Sequence, residues 1–123
     1  MQRRSFLLGI MPLSAVAAFA ADAVAGAKKM SKEGKHEEAI AALEAELKKS
    51  PKNAALKPAL AEAHLAYGES LMFNKDLPPF RKYPGALRQF RKTVEYDPKN
   101  AKAKEHIATI EGIYKSMGRP VPQ

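Results

Sequence analysis

Apolar residues in this chain recur every three or four positions, and the same set appears twice. Ala39, Ile40, Leu43 and Leu47 form one run, and Ala86, Leu87, Phe90 and Val94 repeat it 47 residues later. Leu60, Ala63 and Tyr67 are repeated at the same offset by Ile107, Ile110 and Tyr114. Spacings of three and four put such residues on one face of an α-helix, whereas a strand alternates every two. Between the two runs of each copy stands the same tetrapeptide, Pro51-Lys52-Asn53-Ala54 and then Pro98-Lys99-Asn100-Ala101. Proline lacks an amide hydrogen and disfavours helical conformation in the residue before it, so Pro51 and Pro98 end the preceding helices. Asn53 and Asn100 suit the N-cap of the next. The pattern predicts an all-α fold of antiparallel helix pairs. About five helices are expected: Asp22 to Lys32, Glu37 to Lys49, Ala54 to Phe73, Gly85 to Tyr96, and Ala101 to Met117. Gly34 is expected to break the first, and Gly118 with Pro120 to close the last.

The opening stretch has a different pattern. Met1-Gln2-Arg3-Arg4 is followed by an uncharged run to Ala21 containing Pro12, with Ala18-Phe19-Ala20 just before Asp22. A positive start, an apolar middle and an Ala-x-Ala end make a secretory signal over residues 1–20. Arg3, Arg4, Phe6 and Leu7 also resemble the core of the bacterial twin-arginine export signal. The mature chain is therefore expected outside a bacterial cytoplasm, in the periplasm. Its direct membrane contact is expected only through the signal before cleavage. Without Arg3 and Arg4 it carries 19 Lys and Arg against 13 Asp and Glu, a net charge of +6.

Helix pairs that each end near a proline resemble tetratricopeptide repeats. The family's small, large and proline positions fall on Gly34, Ala39, Leu43, Glu46 and Pro51 in the first unit. In the second they fall on Ala86, Phe90, Thr93 and Pro98. The resemblance implies a short superhelix over residues 21–118. Its units lie at about 21–53 and 54–100, with a closing helix at 101–117 and a tail at 119–123. Two departures stand out. Glu46 occupies a position that is usually small, which predicts loose packing of the first unit. The unit of 47 residues exceeds the usual length of about 34, and the surplus falls at about 74–85, around Pro78, Pro79 and Pro84. That segment reads as an ordered proline-rich loop, with Phe73, Phe80 and Tyr83 either stapling it to the helices or forming an exposed aromatic contact patch.

The resemblance also implies a groove lined by the first helix of each pair, which takes a peptide or helix of a partner protein. Its positions map to Glu62, Leu65 and Ala66 on the third helix and to Lys102, Glu105 and Thr109 on the fifth. About two repeats fall short of the three usually needed for a stable array, which implies a gain in stability on meeting a partner, weak self-association included.

Charge adds a direction. Nine basic residues between Lys75 and Lys104 meet three acids, while eight Lys between Lys28 and Glu69 are balanced by seven Glu. Arg88, Arg91 and Lys92 share an exposed face of the fourth helix. The basic excess points to something acidic, whether a partner protein, an anionic lipid or a cell-wall polymer, and export argues against nucleic acid. The chain has no Cys, so disulfides, thiolate metal sites and thiol catalysis are excluded. No catalytic, metal or cofactor constellation is expected, and His64 is read as a packing residue. The competing readings are a small periplasmic enzyme or enzyme accessory using His64 with Glu62 or Glu69, and an envelope scaffold held by an uncleaved signal.

Overall fold

The computed structural model describes residues 13–123. Among these the chain forms five helices and no strand: α1 Leu13–Lys32, α2 His36–Lys49, α3 Leu56–Met72, α4 Pro79–Tyr96 and α5 Ala101–Ser116. Consecutive helices pack on one another, most extensively α3 on α4, and α1 also touches α3. Arg3, Arg4, Phe6 and Leu7 lie outside the described residues. Among the described residues no helix is long and apolar enough to cross a membrane.

Two glycines close helices as expected, by one device. Gly34 at φ 82° and Gly118 at φ 65° occupy the left-handed region that a Cβ disfavours. After Gly34, the Lys35 amide donates to Met30 O at 2.8 Å and the Gly34 amide to Ser31 O at 3.1 Å. The same pair of bonds joins Arg119 to Tyr114 O and Gly118 to Lys115 O, each at 3.0 Å. Both satisfy carbonyls that a helix end leaves free.

The recurrent tetrapeptide behaves differently in its two copies. Asn100 caps α5, its Oδ1 accepting from the Ala103 amide at 2.9 Å. Asn53 caps no helix. Its Oδ1 accepts from the Ala55 amide at 3.0 Å within a turn, and α3 begins at Leu56 without a side-chain cap. Pro58 gives the reason. In a helix starting at Ala54, its missing amide would fall in the interior, and its ring would strike the Ala54 carbonyl. Starting at Leu56 puts Pro58 in the first turn, where no intrahelical donor is required. Glu105 holds the equivalent place in the second copy, so α5 starts directly after its asparagine.

Three further boundaries depart from expectation. First, α1 begins at Leu13 instead of Asp22: the Ala-rich sequence from Leu13 onward contains no proline, and Ala20 is buried in the core. Second, α4 begins at Pro79 instead of Gly85. Third, the segment 74–85 is not a loop. Only residues 73–78 connect the helices; Pro78 is extended (φ −69°, ψ 154°), Pro79 opens α4, and Pro84 lies inside it. Proline is well suited to the first helical position. Pro84 costs a backbone hydrogen bond, offset by an apolar stripe of Tyr83, Ala86, Leu87, Phe90 and Val94 packed in the core.

The sequence repeat is a repeat of core. Ala39, Ile40 and Leu43 join Leu56, Leu60 and Ala63 in one buried cluster, with Tyr67 against it. Ala86, Leu87 and Phe90 join Ala103, Ile110 and Tyr114 in a second, with Ile107 against it. Ala39 and Leu43 are fully buried despite the neighbouring Glu46, which is itself half-buried. Helix α3 serves both clusters, giving Leu60 and Ala63 to the first and Leu65 and Leu71 to the second. Where α3 crosses α4, Gly68 lets the chains close: a Cβ there would lie 2.5 Å from Phe90 Cε1. Two polar groups are buried at the same crossing, and both are satisfied. His64 Nδ1 donates to Gln89 Oε1 at 2.7 Å, and Thr93 Oγ1 lies 3.2 Å from the Ala61 carbonyl and 3.1 Å from that of Gln89.

Candidate functional site

The α1–α3 contact leaves a cleft of about 270 Å³. Its floor is small and apolar: Ala27, Ala59, Ala63 and Ala66 with Val24 and Leu43. Alanines at three- and four-residue spacing keep the helix surfaces low, so the cleft is wide enough for side chains from outside. Lys28, Ser31 and Lys32 of α1 and Glu62 of α3 also line it. Such a site offers an apolar bed with oppositely charged groups around it.

Of the sequence-derived groove positions, the structure brings Glu62 and Ala66 into this cleft. Leu65 is half-buried against the second core cluster instead. Lys102, Glu105 and Thr109 are exposed on α5. Lys102 Nζ lies 3.8 Å from Glu69 Oε2, and the Thr109 hydroxyl donates to the Glu105 carbonyl at 3.0 Å. The α1 side of the cleft was not foreseen. Val24, Ala27, Ser31 and Lys28 follow a helical spacing, but their facing partner is set by tertiary packing alone.

On α4, the three expected basic residues divide. Lys92 Nζ pairs with Glu95 Oε2 at 3.2 Å. Arg91 Nη1 donates to the Gln123 backbone oxygen at 2.6 Å, which holds the tail against the helix. Arg88 is exposed.

The histidines are all tied into packing. His64 stacks on Tyr96 at 5.8 Å between ring centroids. Neither Glu62 nor Glu69 is its hydrogen-bond partner: Glu69 Oε2 accepts from His106 Nε2 at 2.9 Å, fastening α5 to α3. The His106 ring also stacks on Phe90 at 4.7 Å and meets Phe73 edge-on at 5.8 Å. This bond spans 37 residues, which hides it from any reading of local spacing. His36 stacks on Tyr67 at 5.2 Å, and its Nδ1 is buried with no hydrogen-bond partner. Burial holds the His36 imidazole below its ordinary pKa. Burial also raises the Tyr67 pKa, reinforced by the bond its hydroxyl donates to Glu37 Oε1 at 2.9 Å and by that carboxylate's charge. A cleft of about 330 Å³ adjoins this pair, lined by Gly34, Lys35, Glu37 and Glu38.

The three aromatics around the turn divide between packing and solvent. Tyr83 packs on the second cluster, but Phe73 is 62% and Phe80 73% exposed. The turn they flank is closed by backbone and Asn74 bonds instead. Among the described residues no group of three or more His, Cys, Asp or Glu side chains has the arrangement of a metal site. Comparison with protein-family models, with curated proteins and with solved structures finds no match to this chain.

Proposed function

We propose that this chain is an exported interaction module of tetratricopeptide type, an adaptor or assembly factor that takes a peptide or helix of a partner protein in the α1–α3 cleft. Its helix pairs α1–α2 and α3–α4, closed by α5, would form a short superhelix. A twin-arginine-like signal at Arg3, Arg4, Phe6 and Leu7 would carry it to the periplasm. The observation that supports the binding reading most is the cleft itself. An alanine floor between the first helices of successive pairs, with Lys28, Lys32 and Glu62 beside it, suits an inserted apolar side chain held in register by charge.

The test is crosslinked capture from periplasm. Ala66→Trp fills the cleft and is expected to cut capture at least tenfold while leaving the melting curve near wild type. Undiminished capture overturns the groove reading. Arg88→Glu tests the basic face separately: capture that ignores this change removes α4 from the interface. Export is tested by the mass of the periplasmic chain and by its retention in the cytoplasm when Arg3 and Arg4 are both changed to Lys.

A further inference from the structure

The turn between α3 and α4 brings exposed aromatic rings, unpaired cations and a helix N-terminus together. It carries two large apolar side chains in water, Phe73 at the end of α3 and Phe80 in the first turn of α4. It carries Lys75, Arg81 and Lys82 against a single acid, Asp76. Among the described residues none of these three cations has a carboxylate within 4.0 Å; Lys82 Nζ instead lies 5.9 Å from the Tyr83 ring centroid. Arg81 and Lys82 also sit at the positive end of α4, whose first turn has no acid to balance it. The positive charge of the turn is thus left without a carboxylate partner among the described residues.

The turn is preorganised. The Asp76 amide donates to Asn74 Oδ1 at 2.9 Å, and the Arg81 and Lys82 amides both donate to Pro78 O at 3.0 Å. Pro78 and Pro79 restrict the backbone, and Phe73 leans on His106. Little ordering remains to be done on binding.

We propose that this edge docks on an anionic lipid bilayer, with Phe73 and Phe80 entering the interface and Lys75, Arg81 and Lys82 meeting headgroup phosphates. Two features favour a bilayer over an acidic protein. The phenyl groups project from a tight turn, and neither cleft described above touches it. A fluid surface receives projecting rings wherever they fall, whereas a protein needs matched hollows. Aromatic side chains with adjacent cations also match the two layers of a membrane interface, apolar below and anionic above. This contact is separate from the α1–α3 cleft and adds to the membrane contact expected of the leading segment.

The experiment is vesicle co-sedimentation of the full chain. Vesicles of phosphatidylglycerol with phosphatidylethanolamine are compared with phosphatidylcholine alone, and sodium poly-glutamate serves as an acidic protein mimic. Wild type is expected to partition at least tenfold more strongly onto the anionic vesicles, less so at high salt. Phe73→Ser with Phe80→Ser is expected to lower that partition at least tenfold, and Lys75→Glu with Arg81→Glu and Lys82→Glu to abolish it. Phe73 touches His106, so Phe80→Ser alone is the control for folding; it should keep the wild-type melting curve and still lose severalfold. Unchanged binding of the two phenylalanine variants overturns the proposal. Absence of wild-type binding to anionic vesicles overturns it too, as does poly-glutamate binding that matches vesicle binding and ignores the phenylalanine changes.

Discussion

At the scale of single residues, the tightest constraint is Gly68 beneath Phe90. Alanine at 68 puts a methyl group against a ring that is itself fully buried. We expect Gly68→Ala to destabilise by about 1–3 kcal/mol in urea unfolding, the usual range for an overpacked core, and Phe90→Leu in the same chain to recover part of that loss. His36 sets a pH dependence. Its folded pKa lies below the ordinary value, so between the folded pKa and about 6.5 the unfolded chain binds more protons than the folded one. This contribution is fully present above pH about 6.5 and is lost as pH falls through the folded pKa. The urea midpoint should therefore drop on acidification through that window, and His36→Phe should flatten the drop. Neither feature is visible in the sequence: Gly68 belongs to no turn, and His36 looks like any helix-start residue until Tyr67 is stacked on it.

At the scale of elements, one tetrapeptide used in two ways gives a direct comparison. Asn100→Ala removes a cap and should cost about 1 kcal/mol. Asn53→Ala removes only a turn bond and should cost less than half as much, measured by the same denaturant titration. The helices and their inward faces were legible in the chain because periodicity reports which face is buried. Ala39, Ile40, Leu43, Ala86, Leu87 and Phe90 all reach the core as their spacing requires. The boundaries were less legible because proline acts differently by position. Pro58 in a first turn delays a helix, Pro79 opens one, and Pro84 is tolerated inside one whose apolar stripe holds it in place. Clustered prolines suggest a loop, but here only part of the cluster is one.

At the scale of the whole molecule, α3 is shared by two cores, and the Glu69–His106 bond joins it to α5. Such sharing should make unfolding one event. Tyr96 reports on the first cluster and Tyr114 on the second. Phe90→Ala, expected to cost about 3–5 kcal/mol, should therefore shift the melting of both tyrosine environments together. Two separate transitions would mean that the clusters fold independently. Half of the cleft was readable beforehand, through Glu62 and Ala66. The α1 half depends on which helix lies opposite, and one helix's periodicity cannot say what faces it.

The tail has a practical consequence. Val121 rests on the second cluster and the Gln123 backbone oxygen is held by Arg91, so the last residues form part of the wall of the protein. A purification handle or fluorescent fusion attached after Gln123 would tug directly on α4. Attachment to an exposed side chain away from both ends, such as Lys52, leaves that wall intact.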